Sequence, residues 1–158
     1  MLYLSLKALH VIGVVLFLGN IVTGIFWKAH GDRLGDQGDL RARAQALEGI
    51  IRADRLFTSP GVVLLLATGV ALVLVGHLSF LTPWILGSLV LFGVAGAVFG
   101  AHVGPLQKKL LANARAGLAG RWNESEYRQL SNRWRVWGWV ATIAPLLALI
   151  LMVLKPVW

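Results

Sequence analysis

The sequence predicts an all-α polytopic membrane protein, a bundle of four transmembrane helices with both chain termini outside. Three observations predict this fold class. Apolar residues make up 57% of the 158-residue chain and charged residues 14%, whereas charge averages about a quarter in soluble domains. Four apolar segments each approach the roughly 20 residues that cross hydrocarbon as a helix. Thirteen of the 15 Lys and Arg residues lie in the two stretches that follow the first and third segments.

The four apolar segments fix the predicted topology. Within a single domain of residues 1–158, the predicted spans cover residues 2–27, 56–75, 83–103 and 136–154. The connections 28–55 and 104–135 carry the basic residues, and the short link between the second and third spans carries none. Because Lys and Arg stay on the cytoplasmic side, we expect both long connections inside and a multi-pass protein of the bacterial inner membrane.

The two long connections have patterns of their own. The first begins with a predicted turn-rich loop, His30–Asp39, in which Gly and Asp alternate, and continues as a helix, Leu40–Arg55, into the second span. After Pro105 the second connection predicts a basic amphipathic helix at the membrane surface. Asn123 and Glu126 have the spacing of a capping box, so the fourth helix is expected to begin directly after Asn123.

Tryptophan and glycine give further packing signals. Tryptophans are expected at both membrane–water boundaries, with Trp27, Trp134, Trp137 and Trp139 at the inner one and Trp84 and Trp158 at the outer one. In the third span Gly96, Gly100 and Gly104 repeat every four residues, which permits close helix approach. We expect that face to pack within the chain, with a homodimer seam as the alternative. Pro145 is expected to bend the fourth span.

Composition excludes several classes of function. The formal net charge of +8 follows from basic connections beside an anionic leaflet and does not by itself indicate nucleic-acid binding. The absence of Cys excludes disulfides, thiolate zinc sites and iron–sulfur ligation. No Asp or Glu lies within a predicted span, which argues against a carboxylate proton relay.

His10 is the residue on which a functional hypothesis depends. It lies several residues inside the first span, where a titratable group is costly and therefore a functional candidate. Steps of three and four residues from it reach small and polar side chains, which predicts that this face points into the bundle: Gly13, Phe17, Asn20 and Gly24. Such a histidine suits an axial ligand of heme b, with Gly13 leaving room for the macrocycle. The alternative is a neutral histidine hydrogen-bonded to a neighbouring helix.

Other residues complete the predicted heme site. Met152, or else His77, has the depth expected of a second axial ligand, and a five-coordinate heme is a further alternative. Lys7, one turn from His10, is the expected partner of an anionic group such as a propionate. His102 lies at the opposite end of its span and His30 in a connection, so neither should share an iron with His10.

Several segments carry a family resemblance: Leu4–Gly13, Arg52–Pro60, Thr68-Gly69 and Pro83–Leu86. Together they resemble the DUF2269 family of predicted integral membrane proteins over most of the chain. Lys7-x-x-His10 is also similar to the first helix of HemJ protoporphyrinogen oxidases and CopD-type copper-resistance proteins. In HemJ-like proteins that histidine is implicated in heme binding, so the resemblance implies heme at His10.

The same comparison limits the reaction. The HemJ pattern includes a lysine early in the third span, and Trp84–Leu89 has none, which argues against protoporphyrinogen oxidation. Two methionines and no cysteine are little sulfur for Cu(I). The leading hypothesis is therefore a small heme b-binding, redox-associated membrane protein, with no catalytic residue assigned. The alternatives are a non-catalytic scaffold or accessory subunit of a larger complex, a homo-oligomer, or a small transporter.

Overall fold

The computed structural model describes residues 1–156, and within that range its regular structure is entirely helical. The helices are α1 (Leu2–Asp36), α2 (Leu40–Ala53), α3 (Ser59–Val75), α4 (Pro83–Val98), α5 (Gly104–Leu118) and α6 (Glu124–Leu154), with π-helical turns at Asp54–Thr58 and Phe99–Val103. Four continuous helices are long and apolar enough to cross a membrane. The predicted fold class, an all-α membrane protein with four membrane-spanning helices, is confirmed, and the location of both termini outside stays a prediction.

The four long helices form two hairpins. In the first hairpin α1 packs against a continuous helix, Leu40–Val75, that joins α2, the first π turn and α3. In the second, α6 packs against a continuous helix, Pro83–Leu118, that joins α4, the second π turn and α5. At 1.5 Å per residue each long helix measures roughly 50 Å, whereas the hydrocarbon core is about 30 Å thick. One end of every helix therefore extends beyond the membrane.

The hairpins meet at one end only. Their helices approach each other where α2 packs on α5 and α1 on α6. Within residues 1–156, no Cα atom of α4 lies within 8 Å of α1 or α3, and none of α6 lies within 8 Å of α3. We call the joined end, which carries both long connections, the basic end. The opposite end, where the chain begins and α6 stops, is the open end.

The basic end holds the best-packed core of the molecule. Leu47 of α2 and Leu110 and Ala114 of α5 are at most 1% exposed, and they share one apolar cluster with Trp134 of α6. The helix predicted after Pro105 is present as α5, and its position on the membrane surface stays a prediction. Its apolar face is covered by α2 and α6.

The predicted turn-rich loop from His30 to Asp39 is also wrong for most of its length. Helix α1 continues to Asp36, and only Gln37–Asp39 connect it to α2. Gly31 and Gly35 serve helix packing here. A Cβ atom at Gly31 would lie 2.5 Å from the Cβ of Ala46, and one at Gly35 would collide with the Arg43 guanidinium. The glycines let α2 lie directly against α1.

The glycine face of the third span differs from its prediction. A Cβ atom at Gly93, Gly96 or Gly100 would have no neighbouring atom within 4 Å among the described residues, and Gly96 and Gly100 are exposed. The expected packing of this face within the chain is therefore wrong. Close approach occurs instead between α1 and α3, where a Cβ at Gly61 would lie 3.1 Å from the backbone nitrogen of Phe17.

The helix start and the tryptophan positions are partly as expected. Helix α6 begins at Glu124, and the Asn123 side chain accepts a hydrogen bond from the Glu126 N–H at 3.1 Å, which confirms the cap. Trp27 and Trp139 are more than half exposed, as belt residues should be. The rings of Trp134 and Trp137 pack inward instead, and Trp158 lies outside the described residues.

The orientation can be measured directly because the chain has no cysteine. Single cysteines at the exposed positions Gln37 and Ala119 lie at the basic end, and one at Ser79 lies at the open end. We expect a membrane-impermeant thiol reagent to label Ser79→Cys in intact cells, and Gln37→Cys and Ala119→Cys only after lysis. The reverse labelling pattern would show that the basic end faces outward.

Candidate functional site

A cleft of about 270 Å³ lies between the two hairpins at the open end. Its walls are largely apolar and come from α1, α3, α4 and α6, and the link between α3 and α4 covers part of it. Towards the basic end it is bordered by Phe17 and Phe92, whose ring centroids are 5.4 Å apart across the two hairpins. The cleft exists because the backbones of the two hairpins do not approach each other closely at this end.

His10 of α1 lines the cleft, and a hydrogen bond to α3 fixes the position of its ring. Its Nδ1 lies 2.9 Å from the Thr68 hydroxyl oxygen. That hydroxyl donates its own hydrogen to the Leu64 carbonyl at 2.5 Å, so it accepts the hydrogen bond from Nδ1–H. The imidazole is thereby held as the tautomer whose Nε2 carries a lone pair. Gly69 gives the ring space, since a Cβ there would lie 3.3 Å from its Cε1 atom.

Met152 of α6 and Lys155, the residue that follows α6, line the same cleft. The structure therefore places one of the two predicted second ligands, Met152, on the cleft opposite the hairpin that carries His10. Lys155 was not predicted. Its ammonium lies 5.3 Å from the centroid of Trp84, a cation–π contact at the rim. Ser88, also on the wall, is satisfied by the carbonyls of Trp84 and Ala148 at 2.7 and 3.1 Å.

The remaining predicted site residues lie elsewhere. Lys7 is exposed and does not line the cleft. Gly13 contacts α3 instead, where an added Cβ would lie 3.1 Å from Leu65 Cγ. His77 occupies the turn after α3 with φ 51° and is also outside the lining. The predicted inward face of α1 is confirmed, since Gly13 and Phe17 are buried and Asn20 bonds to the neighbouring helix.

The other two histidines are aromatic packing partners. The His102 ring stacks on Trp137 with centroids 4.0 Å apart, and His30 stacks on Phe26 at 6.3 Å. Both lie towards the basic end of their helices, away from His10, as predicted. Within residues 1–156 no group of three or more His, Asp or Glu side chains is placed to hold a metal ion.

A second polar site, around Asp54 in the first π turn, joins the hairpins. Its carboxylate accepts hydrogen bonds from Asn20 at 3.0 Å, Thr58 at 3.0 Å and Gln107 at 3.0 Å. Thr58 and Gln107 are at most 5% exposed. Asp54 lies two residues before the second predicted span, within the charged connection 28–55. The inward position of Asn20 was the signal that a partner was needed there.

A further polar site lies at the basic end. It is a cluster of charged and hydroxyl-bearing side chains that we call the polar cap: Lys28, Asp32, Arg43, Tyr127 and Ser131. Lys28 and Arg43 are each 3% exposed. The Lys28 ammonium donates to Asp32 at 2.5 Å and to Ser131 at 3.0 Å, and Arg43 Nη2 donates to the Asp32 backbone carbonyl at 2.8 Å. Burial and then the adjacent Asp32 carboxylate raise the pKa of Tyr127. Its protonated phenol donates to Asp32 at 2.6 Å.

Comparison with known proteins gives one match. A family model described as "Predicted integral membrane protein (DUF2269)" matches residues 4–156. No curated protein and no solved structure gives a significant match to the chain.

Proposed function

The chain belongs to the DUF2269 family of predicted integral membrane proteins, and we propose that its cleft binds heme b, with His10 as axial ligand, in a redox-associated role. The observation that carries the proposal is the hydrogen bond from His10 Nδ1–H to Thr68. Ligating histidines characteristically donate their other ring N–H to a fixed acceptor, which sets the tautomer and raises the basicity of the ligating nitrogen. The hydrogen bond at Nδ1 leaves Nε2 of His10 as the nitrogen available for ligation, and the residue lines a largely apolar cleft.

The other cleft residues fit this group. Met152 of α6 also lines the cleft, and its thioether would be the second ligand, since His–Met ligation is one of the established heme arrangements. The largely apolar walls exclude water. Bound there, heme b would supply one-electron chemistry, and the protein would tune it through the two ligands and the low polarity of the cleft.

The size of the cleft sets a condition. About 270 Å³ lies below the whole range of roughly 300–1,000 Å³ for small-molecule pockets, and heme is a large ligand, so binding requires the cleft to widen substantially. The hairpins have no close backbone approach at the open end within the described residues. Outward movement of one hairpin therefore enlarges the cleft without separating helices that pack together.

Absorption spectroscopy tests the proposal. Protein expressed in heme-replete cells and purified in neutral detergent should show a Soret band that His10→Ala removes. Thr68→Val keeps the side-chain shape but loses the acceptor for Nδ1–H, and should weaken heme affinity by about 10- to 100-fold. Met152→Ala should shift the spectrum towards high spin without abolishing binding, because the imidazole still holds the iron.

Two histidine variants serve as controls. His30→Ala alters an exposed ring far from the cleft and should leave the spectrum intact. His77→Ala should do the same, and a high-spin shift there would make His77 the second ligand in place of Met152. Folded parent protein without a Soret band would contradict heme binding and favour the scaffold or accessory-subunit alternative.

A further inference from the structure

The rim of the cleft carries one fixed positive charge, on Lys155. Helix α6 ends at Leu154, and Lys155 follows in the left-handed conformation, with φ 44° and ψ 56°, while its N–H bonds to the Leu151 carbonyl at 2.9 Å. A side chain other than glycine rarely adopts this conformation. The left-handed conformation ends α6 at this point. The Lys155 side chain then lines the cleft, with its ammonium over the ring of Trp84.

The charges around the cleft are one-sided. Among the described residues that line it, none is Asp or Glu, and the ionisable groups besides Lys155 are Tyr3 and His10. The wall between Lys155 and His10 is built mainly of Leu, Val and Phe side chains. A positive rim above an apolar body is complementary to an amphipathic ligand that carries an anionic group at one edge.

We propose that Lys155 binds the carboxylate of the cleft ligand, a tetrapyrrole whose apolar ring lies in the cleft. This inference rests on the proposed function, in which the carboxylate is a heme propionate, and it assigns to Lys155 the role that the sequence pattern assigned to Lys7. The Trp84 face holds the ammonium at the rim, where it retains water on its outer side. The contact is therefore a partly solvated ion pair. It favours ligands that carry a carboxylate, and it places that carboxylate at the rim of the cleft.

Metal-free protoporphyrin IX separates this contact from iron ligation. It carries both propionates but offers no iron to His10, and its dimethyl ester carries no charge. We would titrate each compound into protein in neutral detergent and follow the quenching of tryptophan fluorescence. The parent protein should bind the acid about fivefold more tightly than the ester, as expected for one partly exposed ion pair. Lys155→Met should remove that preference, and Lys155→Arg should keep it.

Matched variants make the outcomes distinct. Lys7→Met removes the other open-end lysine and should leave the preference unchanged. His10→Ala should abolish heme binding yet preserve the Lys155-dependent preference for the acid. Loss of heme binding alone would thus reject the proposed function and not this inference. An unchanged preference in Lys155→Met, an equal loss of acid and ester binding in that variant, or a parent protein that binds neither compound would each overturn the inference.

Discussion

Replacing Gly31 by leucine should lower the free energy of unfolding by about 3 kcal/mol, the upper range for overpacking a close contact. Even the first added carbon atom would lie 2.5 Å from the Cβ of Ala46, so α2 must move away from α1. Thermal or denaturant unfolding in detergent, followed by circular dichroism, measures the loss. Gly100→Leu, at a glycine with an open Cβ position, should leave stability unchanged or raise it slightly through helix propensity.

The Gly100→Leu control also tests the exposed glycine face. Were this variant as unstable as Gly31→Leu, something outside the described chain would have to cover α4 at that position. Size-exclusion chromatography with light scattering would then show whether the cover is a second copy, which is the homodimer seam that the glycine spacing left open. If the parent protein is monomeric and Gly100→Leu is stable, the exposed glycine face would be in contact with lipid.

Removing the carboxylate of Asp32 should destabilise the protein by about 3–5 kcal/mol, because it leaves the buried Lys28 ammonium without its carboxylate partner. Lys28 is 3% exposed, and the Asp32 carboxylate accepts hydrogen bonds from Lys28, Tyr127 and Ser131. Arg43 keeps its ion pair with Asp36 in this variant. Asp32→Ala measured by denaturant unfolding in detergent gives this loss. Glu48→Ala is the matched control, since its ion pair with Arg115 is more than half exposed on both sides and should contribute less than about 1 kcal/mol.

The double variant Asp32→Ala with Lys28→Met separates charge burial from packing. Removing both partners of a buried pair is often far less costly than removing one, so the double variant should regain a large part of the stability lost in Asp32→Ala. If it is less stable than either single variant, the polar cap would contribute through shape and not through compensation of buried charge.

Local sequence patterns predicted the elements that depend on neighbouring residues. The four apolar segments gave the helices because length and hydropathy suffice in lipid. Asn123 and Glu126 gave the start of α6 because a cap needs only residues three apart. The three- and four-residue steps from His10 predicted the inward face of α1, and the structure shows that this face contacts α3.

Patterns that depend on a distant partner were not readable. Gly31 and Gly100 are the same residue type in helices, yet only Gly31 faces another helix closely, and the sequence gives no register between α1 and α2. His10 and Thr68 are 58 positions apart, and Asp54 and Gln107 are 53 apart. The location of Lys155 at the cleft was not predictable for a related reason, because it depends on where α6 ends relative to Trp84.

The attachment of the hairpins at one end also implies an order of biogenesis. Each hairpin contains its own close helix contacts and can enter the bilayer as a unit while the ribosome is still at work. The polar cap takes Lys28 and Asp32 from the first helix and Tyr127 and Ser131 from the last, so it forms only after synthesis of α6. Until then Lys28 has Asp32 but lacks its contacts with Ser131, Tyr127 and Trp134. A chain truncated before Tyr127 would therefore leave the Lys28 ammonium uncovered.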